Sequence, residues 1–227
     1  MDIKQNLYWL MQMGISSFYS EKEKTSATPV SIKEEEPLTT QAQMQAAGVT
    51  TLAELNQIKM DFQLSSIRKT AAHSLLGRGP ISPKLMCVLE MPDATADREG
   101  KTLAGEQIAL LTKMMAAINL DIAKDVYVVY FSPWRTPGNR PLTKSEQALL
   151  LPLLEKEIQL IKPQKILLFG AGIASALLKT DSLAKARASW HYWDKIPTRV
   201  TLAPATLKTM ALKKQAWADL QALQKGD

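Results

Sequence analysis

The sequence predicts an α/β domain built on a buried, mainly parallel sheet, and three stretches carry that reading. Leu85–Leu89 is an unbroken apolar run without the alternation of a half-wet strand, which is how a strand buried on both faces reads. Val126–Phe131 is a second such run, rich in Val and Tyr. Lys165–Phe169 is a third and runs straight into Gly170-Ala171-Gly172. Helices expected over about 106–120 and 143–161 lie between these strands.

Bulk properties bound the rest. A chain of 227 residues with 46% apolar content holds one α/β domain and an appendage. No apolar run approaches the roughly 20 residues that span a bilayer, and the N-terminus lacks the pattern of a signal peptide. The one cysteine, Cys87, sits inside a predicted buried strand and reads as a small core residue. One cysteine allows neither an internal disulfide nor a four-cysteine cluster, so a cytoplasmic protein is expected, with no metal. The charge is uneven. Residues 1–50 hold four Lys against six acidic residues; residues 51–227 hold 24 basic against 16 acidic, for +8. A basic body faces nucleic acid, an acidic protein, or simply water.

From the start of the chain, Ile3, Leu7, Leu10 and Met11 fall on one stripe of a short amphipathic helix. Trp9 and Met13 extend it, Gly14 stands where a helix ends, and Ile15 and Phe18 follow. The charged, Pro-containing segment that comes next reads as a mobile tether. The division expected is a partner-binding peptide over 1–19, a linker over 20–50 and a body over 51–227. A sticky peptide on a tether suits docking into a partner's groove; folding back onto its own body is the other use.

Thr51 and Glu54 form a capping box that opens a helix to about Lys59. Residues 61–83 read as helical or irregular. Glu90-Met91-Pro92-Asp93 breaks the first strand, and the polar loop from Asp93 to Gly105 would overhang the carboxyl edge of the sheet, where ligands bind in open α/β folds. Thr143 and Glu146 form a second capping box. Gly170-Ala171-Gly172 lacks the third glycine of a dinucleotide fingerprint and the Lys of a phosphate-binding loop, so close strand–helix packing is its plainer use. Trp190–Trp193 and Arg199–Ala203 read as the last strands, with aromatics that stack bases or fill a core or interface. His73 and His191, the only histidines, read as packed or surface residues.

Two resemblances emerge from these residues. Glu90, Pro92, Asp97, Gly100 and Gly105 resemble motif A of the iron–sulfur-type (family 4) uracil-DNA glycosylases, while Leu89, Asp93, Ala96 and Leu103 depart from it. Arg135, Pro137, Asn139 and Arg140 match the family's loop after the second strand, and Thr201–Leu207 its last motif. The resemblance implies a three-layer α/β/α fold with a central, mainly parallel four-stranded sheet, closed by a helix over about 208–223. It also implies a site at Glu90, Pro92, Asp97, Leu103, Tyr130 and Ala203, with Arg135, Asn139 and Arg140 as possible phosphate contacts. At that site the ring that would stack a base is Leu103, the reading amide is Tyr130, and the catalytic-site His is Ala203. The cluster cysteines would fall in residues 61–83, at Trp134 and near Leu150, where this chain has none. No iron–sulfur cluster and no catalysis are therefore expected; Glu90 and Asp97 remain as acceptors that order loops.

The second resemblance is at the N-terminus. Leu7, Tyr8, Leu10, Met13, Gly14, Ile15 and Phe18 look like the clamp-loader-binding peptide of the psi subunit of bacterial DNA polymerase III. That subunit has a fold similar to the glycosylases in shorter form. The function expected is a non-catalytic, psi-like accessory subunit in DNA replication that bridges the clamp loader and the chi subunit, with any DNA contact indirect. The alternative is a divergent uracil-DNA glycosylase or a lesion-binding repair protein.

Overall fold

The computed structural model describes residues 37–226. The N-terminal peptide, with Leu7, Tyr8, Leu10, Met13, Gly14, Ile15 and Phe18, and the first part of the tether lie outside the described residues.

Five strands form one sheet in the order β2-β1-β3-β5-β4. They are β1 (Leu85–Leu89), β2 (Val126–Tyr130), β3 (Ile166–Phe169), β4 (His191–Trp193) and β5 (Ile196–Thr201). β1 runs parallel to β2 and to β3, with Leu85 opposite Val126 and Met86 opposite Ile166; β3 runs parallel to β5. The sheet has five strands where four were expected; the stretch Trp190–Trp193, read as one of the last strands, supplies β4. It pairs antiparallel with β5 through a turn at Asp194 and Lys195, both at positive φ, as the twist of a tight hairpin requires. The last strand also starts earlier than expected, at Ile196, and ends before Leu202 and Ala203.

Strand residues alternate between two apolar layers. Met86, Val88, Tyr127, Val129, Ile166 and Leu168 share one core with α1 (Leu38–Ala47), α2 (Leu52–Asp61), α5 (Lys144–Ile161) and α6 (Ala171–Leu178). Leu85, Cys87, Leu89, Val128, Tyr130, Leu167 and Phe169 share the other with α4 (Gly105–Ala117) and α8 (Met210–Lys225). Two further short helices, α3 (Ala94–Glu99) and α7 (Leu183–Ala188), complete the layers. Each fully buried aliphatic side chain contributes roughly 1.5–3 kcal/mol, which is why β1 and β3, buried on both faces, are apolar throughout. Burial pushes the Cys87 thiol far up, as expected of an inert core residue.

Both capping boxes form. The Thr51 hydroxyl accepts from the Glu54 N–H and the Glu54 carboxylate accepts from the Thr51 N–H; Thr143 and Glu146 do the same at α5. Part of the stretch expected as tether, up to residue 50, is described and is ordered. Leu38–Ala47 is a helix with Ala42 and Ala46 buried against the core. Its Ala, Gln and Met residues favour helix, and two alanines four apart allow close approach to a neighbouring helix. Among the described residues, no helix is long and apolar enough to cross a membrane.

Candidate functional site

The carboxyl ends of β1, β3 and β5 open onto a cleft of about 770 Å³, lined among others by Glu90, Pro92, Asp93, Gln107, Asn139, Phe169, Ala203 and Lys208. Its wall is organised by Asp93. The Asp93 carboxylate caps α3, accepting from the Thr95 and Ala96 N–H groups at 3.0 and 2.9 Å, and reaches the Gln107 N–H in the first turn of α4 at 3.2 Å. One side chain thus ties two helix N-termini together. Gly105 makes this possible: φ is +85°, and a Cβ there would lie 2.3 Å from both Asp93 carboxylate oxygens.

Glu90 follows β1 and is half-buried at the cleft. Burial raises its carboxyl above the ordinary range, and the Leu142 backbone N–H offsets part of that rise. The other expected site residues divide. Pro92, Asn139 and Ala203 line the cleft with Glu90, whereas Asp97, Leu103 and Tyr130 do not. Asp97 accepts from the Ala72 and His73 N–H groups at 3.2 and 3.3 Å and orders that loop. Leu103 is exposed, away from the cleft. Tyr130 is buried beneath the site and donates its hydroxyl to the Thr102 carbonyl at 3.3 Å; burial first, then the Asp93 charge, pushes its pKa up.

Of the basic candidates, Arg135 donates to the Asn139 side chain at 2.7 Å. Arg140 is engaged by Glu146 through two hydrogen bonds of 2.8 and 2.6 Å, which occupies the fork a phosphate would use. The Arg140 guanidinium, chiefly, holds the Glu146 carboxyl down at about 2, against an ordinary value of 4.5. A depressed folded-state pKa stabilises above the unfolded value. The contribution is therefore present at neutral pH and lost as pH falls from about 4.5 through 2. Glu146→Gln is expected to flatten the acid limb of a pH–melting curve over that window, and less so in high salt because Arg140 is exposed.

Several cleft residues were not singled out from sequence. Phe169 is buried yet presents part of its surface to the cleft floor; its place as the last residue of β3 is the available signal. Gln107 and Lys208 line the cleft as well. Asp93 reads as a departure from a motif, whereas a side-chain acceptor just before a helical segment is an N-cap signal.

A four-thiolate cluster does not fit these residues. Trp134 is fully buried, stacked on Phe62 at 5.8 Å between centroids, and donates Nε1–H to Ser74. Leu150 is buried in the core. At two of the places where the resemblance puts cluster cysteines, large buried side chains stand instead. Among the described residues, no group of three or more His, Cys, Asp or Glu side chains is placed to hold a metal.

The fold and the cleft define an α/β protein with an open recess at the carboxyl edge of its sheet. Residues 76–225 match the uracil DNA glycosylase superfamily, and the chain belongs to it. It is 26% identical over 155 residues to a type-4 uracil-DNA glycosylase of Saccharolobus solfataricus, covering 66% of this chain and 72% of the relative. A type-4 uracil-DNA glycosylase of Pyrobaculum aerophilum is 27% identical over 128 residues, covering 56% and 65%. One of Thermotoga maritima is 29% identical over 121 residues, covering 52% and 62%. These findings overturn the reading as a psi-like accessory subunit of DNA polymerase III that binds the clamp loader and chi. That reading rested on a dozen residues near the N-terminus and on the replaced site residues, whereas the superfamily match covers most of the body and the relatives are named as glycosylases.

Proposed function

We propose that this chain is a DNA-repair glycosylase that draws an extruded base into the cleft and hydrolyses its N-glycosidic bond. The observation that supports it best is Glu90: a carboxylate with a raised pKa, at the carboxyl edge of the sheet, in the cleft of a glycosylase-superfamily fold. Water adds to C1′ as the C1′–N bond breaks. Glu90 takes the proton from that water, and its raised pKa makes it the better base. The base leaves with the bonding electron pair. Lys208 and the Asn139 amide line the cleft where that negative charge develops. Phe169 supplies an apolar floor. The net positive body, at +8 over residues 51–227, suits the phosphate backbone. We place the working protein in the cytoplasm, in keeping with a DNA substrate and a single buried cysteine.

The test is release of free base from a duplex with one uracil, measured beside undamaged duplex. Glu90→Gln is expected to lower the rate by about 10²–10⁴-fold while leaving salt-dependent binding intact. Binding that prefers the lesion without any release would reduce the proposal to a lesion-binding protein, and the departures at Leu103, Tyr130 and Ala203 favour that second reading. Release that survives Glu90→Gln would remove Glu90 from the mechanism.

A further inference from the structure

The Gly170-Ala171-Gly172 turn joins β3 to α6. Gly170 has φ of +105° and ends β3; Gly172 is in the first turn of α6. The surroundings of Gly172 are specific. A Cβ at that position would stand 2.6 Å from Glu90 Oε1 and 3.1 Å from Glu90 Cδ, with Gln147 Nε2 next at 3.6 Å. No backbone atom is among these nearest neighbours. The space that the missing side chain leaves is therefore occupied by the Glu90 carboxylate, not by a close strand–helix contact.

Gln147 completes the arrangement. It lies on α5 and is 7% exposed. Its Nε2 donates to the Leu142 carbonyl at 3.1 Å, and the Leu142 N–H is the backbone group that interacts with Glu90. Its Oε1 is buried and has no hydrogen-bond partner among the described residues. A buried amide left half-satisfied costs stability, so its placement beside Glu90 calls for a reason.

We propose that Gly172 and Gln147 are positioning residues for the Glu90 carboxylate: the bare α carbon of Gly172 leaves the seat open, and Gln147 fixes the Leu142 backbone that faces it. The inference rests on the reading of Glu90 as the group that acts on substrate. From the cleft side, Asp93, Glu106 and Lys208 face the same space. From the α5 and α6 side the contacts are the neutral Gln147 and Gly172; Lys144, which borders Gly172 in a neighbouring hollow, is bonded to Ser175 at 2.7 Å. The seat is thus a neutral, partly dry pocket on one side and a charged cleft on the other.

The two residues act in opposite directions, and this makes the test sharp. Gly172→Ala pushes the carboxylate out of its seat toward the cleft water. Burial is the main cause of its raised pKa, so its titration midpoint falls. Gln147→Met loosens Leu142, weakens the N–H that favours the charged form, and raises the midpoint. Glu90 is followed by carbon-13 carboxyl NMR in the full chain, against Glu90→Gln for assignment, with thermal melts to establish that each variant folds. In base release, a misplacement on the order of 1 Å costs about 10²-fold, so Gly172→Ala is expected to lower kcat by about that factor with KM little changed. Glu90→Asp, whose shorter side chain clears the new methyl group, recovers part of the loss in the Gly172→Ala background. A folded Gly172→Ala protein with an unmoved Glu90 midpoint overturns the proposal, as does a Gln147→Met midpoint that moves down. If the wild-type protein releases no base, the glycosylase reading fails, while the NMR midpoints still decide whether the seat exists.

Discussion

Glu157→Leu is expected to destabilise the protein by about 3–5 kcal/mol in a urea melt, the largest single loss on offer outside the apolar core. Glu157 is on α5 and fully buried; Lys59, on α2, is 2% exposed and pairs with its Oε2. The Tyr127 hydroxyl donates to Oε1 at 2.8 Å, and burial, followed by the Glu157 charge, pushes that hydroxyl far up. Gly77 closes over the group: a Cβ there would lie 2.3 Å from both Glu157 Oε1 and the Tyr127 oxygen. Removing the carboxylate strands a buried ammonium and an unpaired phenol, and that is where the cost arises, not in the net worth of the pair. The double variant Lys59→Met with Glu157→Leu is therefore expected to recover most of the loss. A double variant as unstable as the single one would show that the two charges are not coupled, and would leave packing as the cause.

That network shows what a sequence can and cannot reveal. The strands at Leu85, Val126 and Ile166 were legible because burial on both faces leaves an unbroken apolar run, and the two capping boxes because their chemistry is local. Lys59 and Glu157 are 98 positions apart, and nothing nearby in sequence marks either as buried. Trp190–Trp193 was legible as a strand, but not its antiparallel pairing or the start of β5 at Ile196, because a three-residue hairpin strand depends on its partner more than on its own pattern. Leu38–Ala47 fell within the tether because the charged, Pro-containing residues before it dominated that stretch, yet Ala42 and Ala46 seat it on the core. At the site, two motifs set Glu90, Pro92 and Ala203 near the carboxyl edge of the sheet, and all three line the cleft. The motif did not show that Tyr130 turns its hydroxyl to the Thr102 carbonyl, that Arg140 is spent on Glu146, or that Phe169 supplies the floor. Those outcomes depend on which way a side chain turns once distant elements have packed. The N-terminal stretch misled for the reverse reason: a dozen residues carry too little information to outweigh a match over most of the body.

Asp93→Ala is the second large effect, at about 2–3 kcal/mol, because one carboxylate serves three backbone N–H groups at the starts of α3 and α4. The loss is expected to reach the cleft as well, since Asp93 and Gln107 both line it. Asp93→Asn separates the two consequences. Asparagine is as good an N-cap as aspartate, so it keeps the acceptor for Thr95 and Ala96 and most of the stability. It removes the negative charge that faces the cleft. If Asp93 only holds the wall, Asp93→Asn retains base release within a few-fold, while Glu90→Gln, which leaves this wall untouched, abolishes it. Equal losses in the two variants would mean that the chemistry uses both carboxylates, and Asp93 would then have to give up its helix contacts during turnover. Gly105→Ala provides an independent check. Its methyl group must displace the same carboxylate and hold φ near +85°, so it is expected to cost at least as much as Asp93→Ala, and in the double variant only the cost of the strained φ should add to the Asp93→Ala loss.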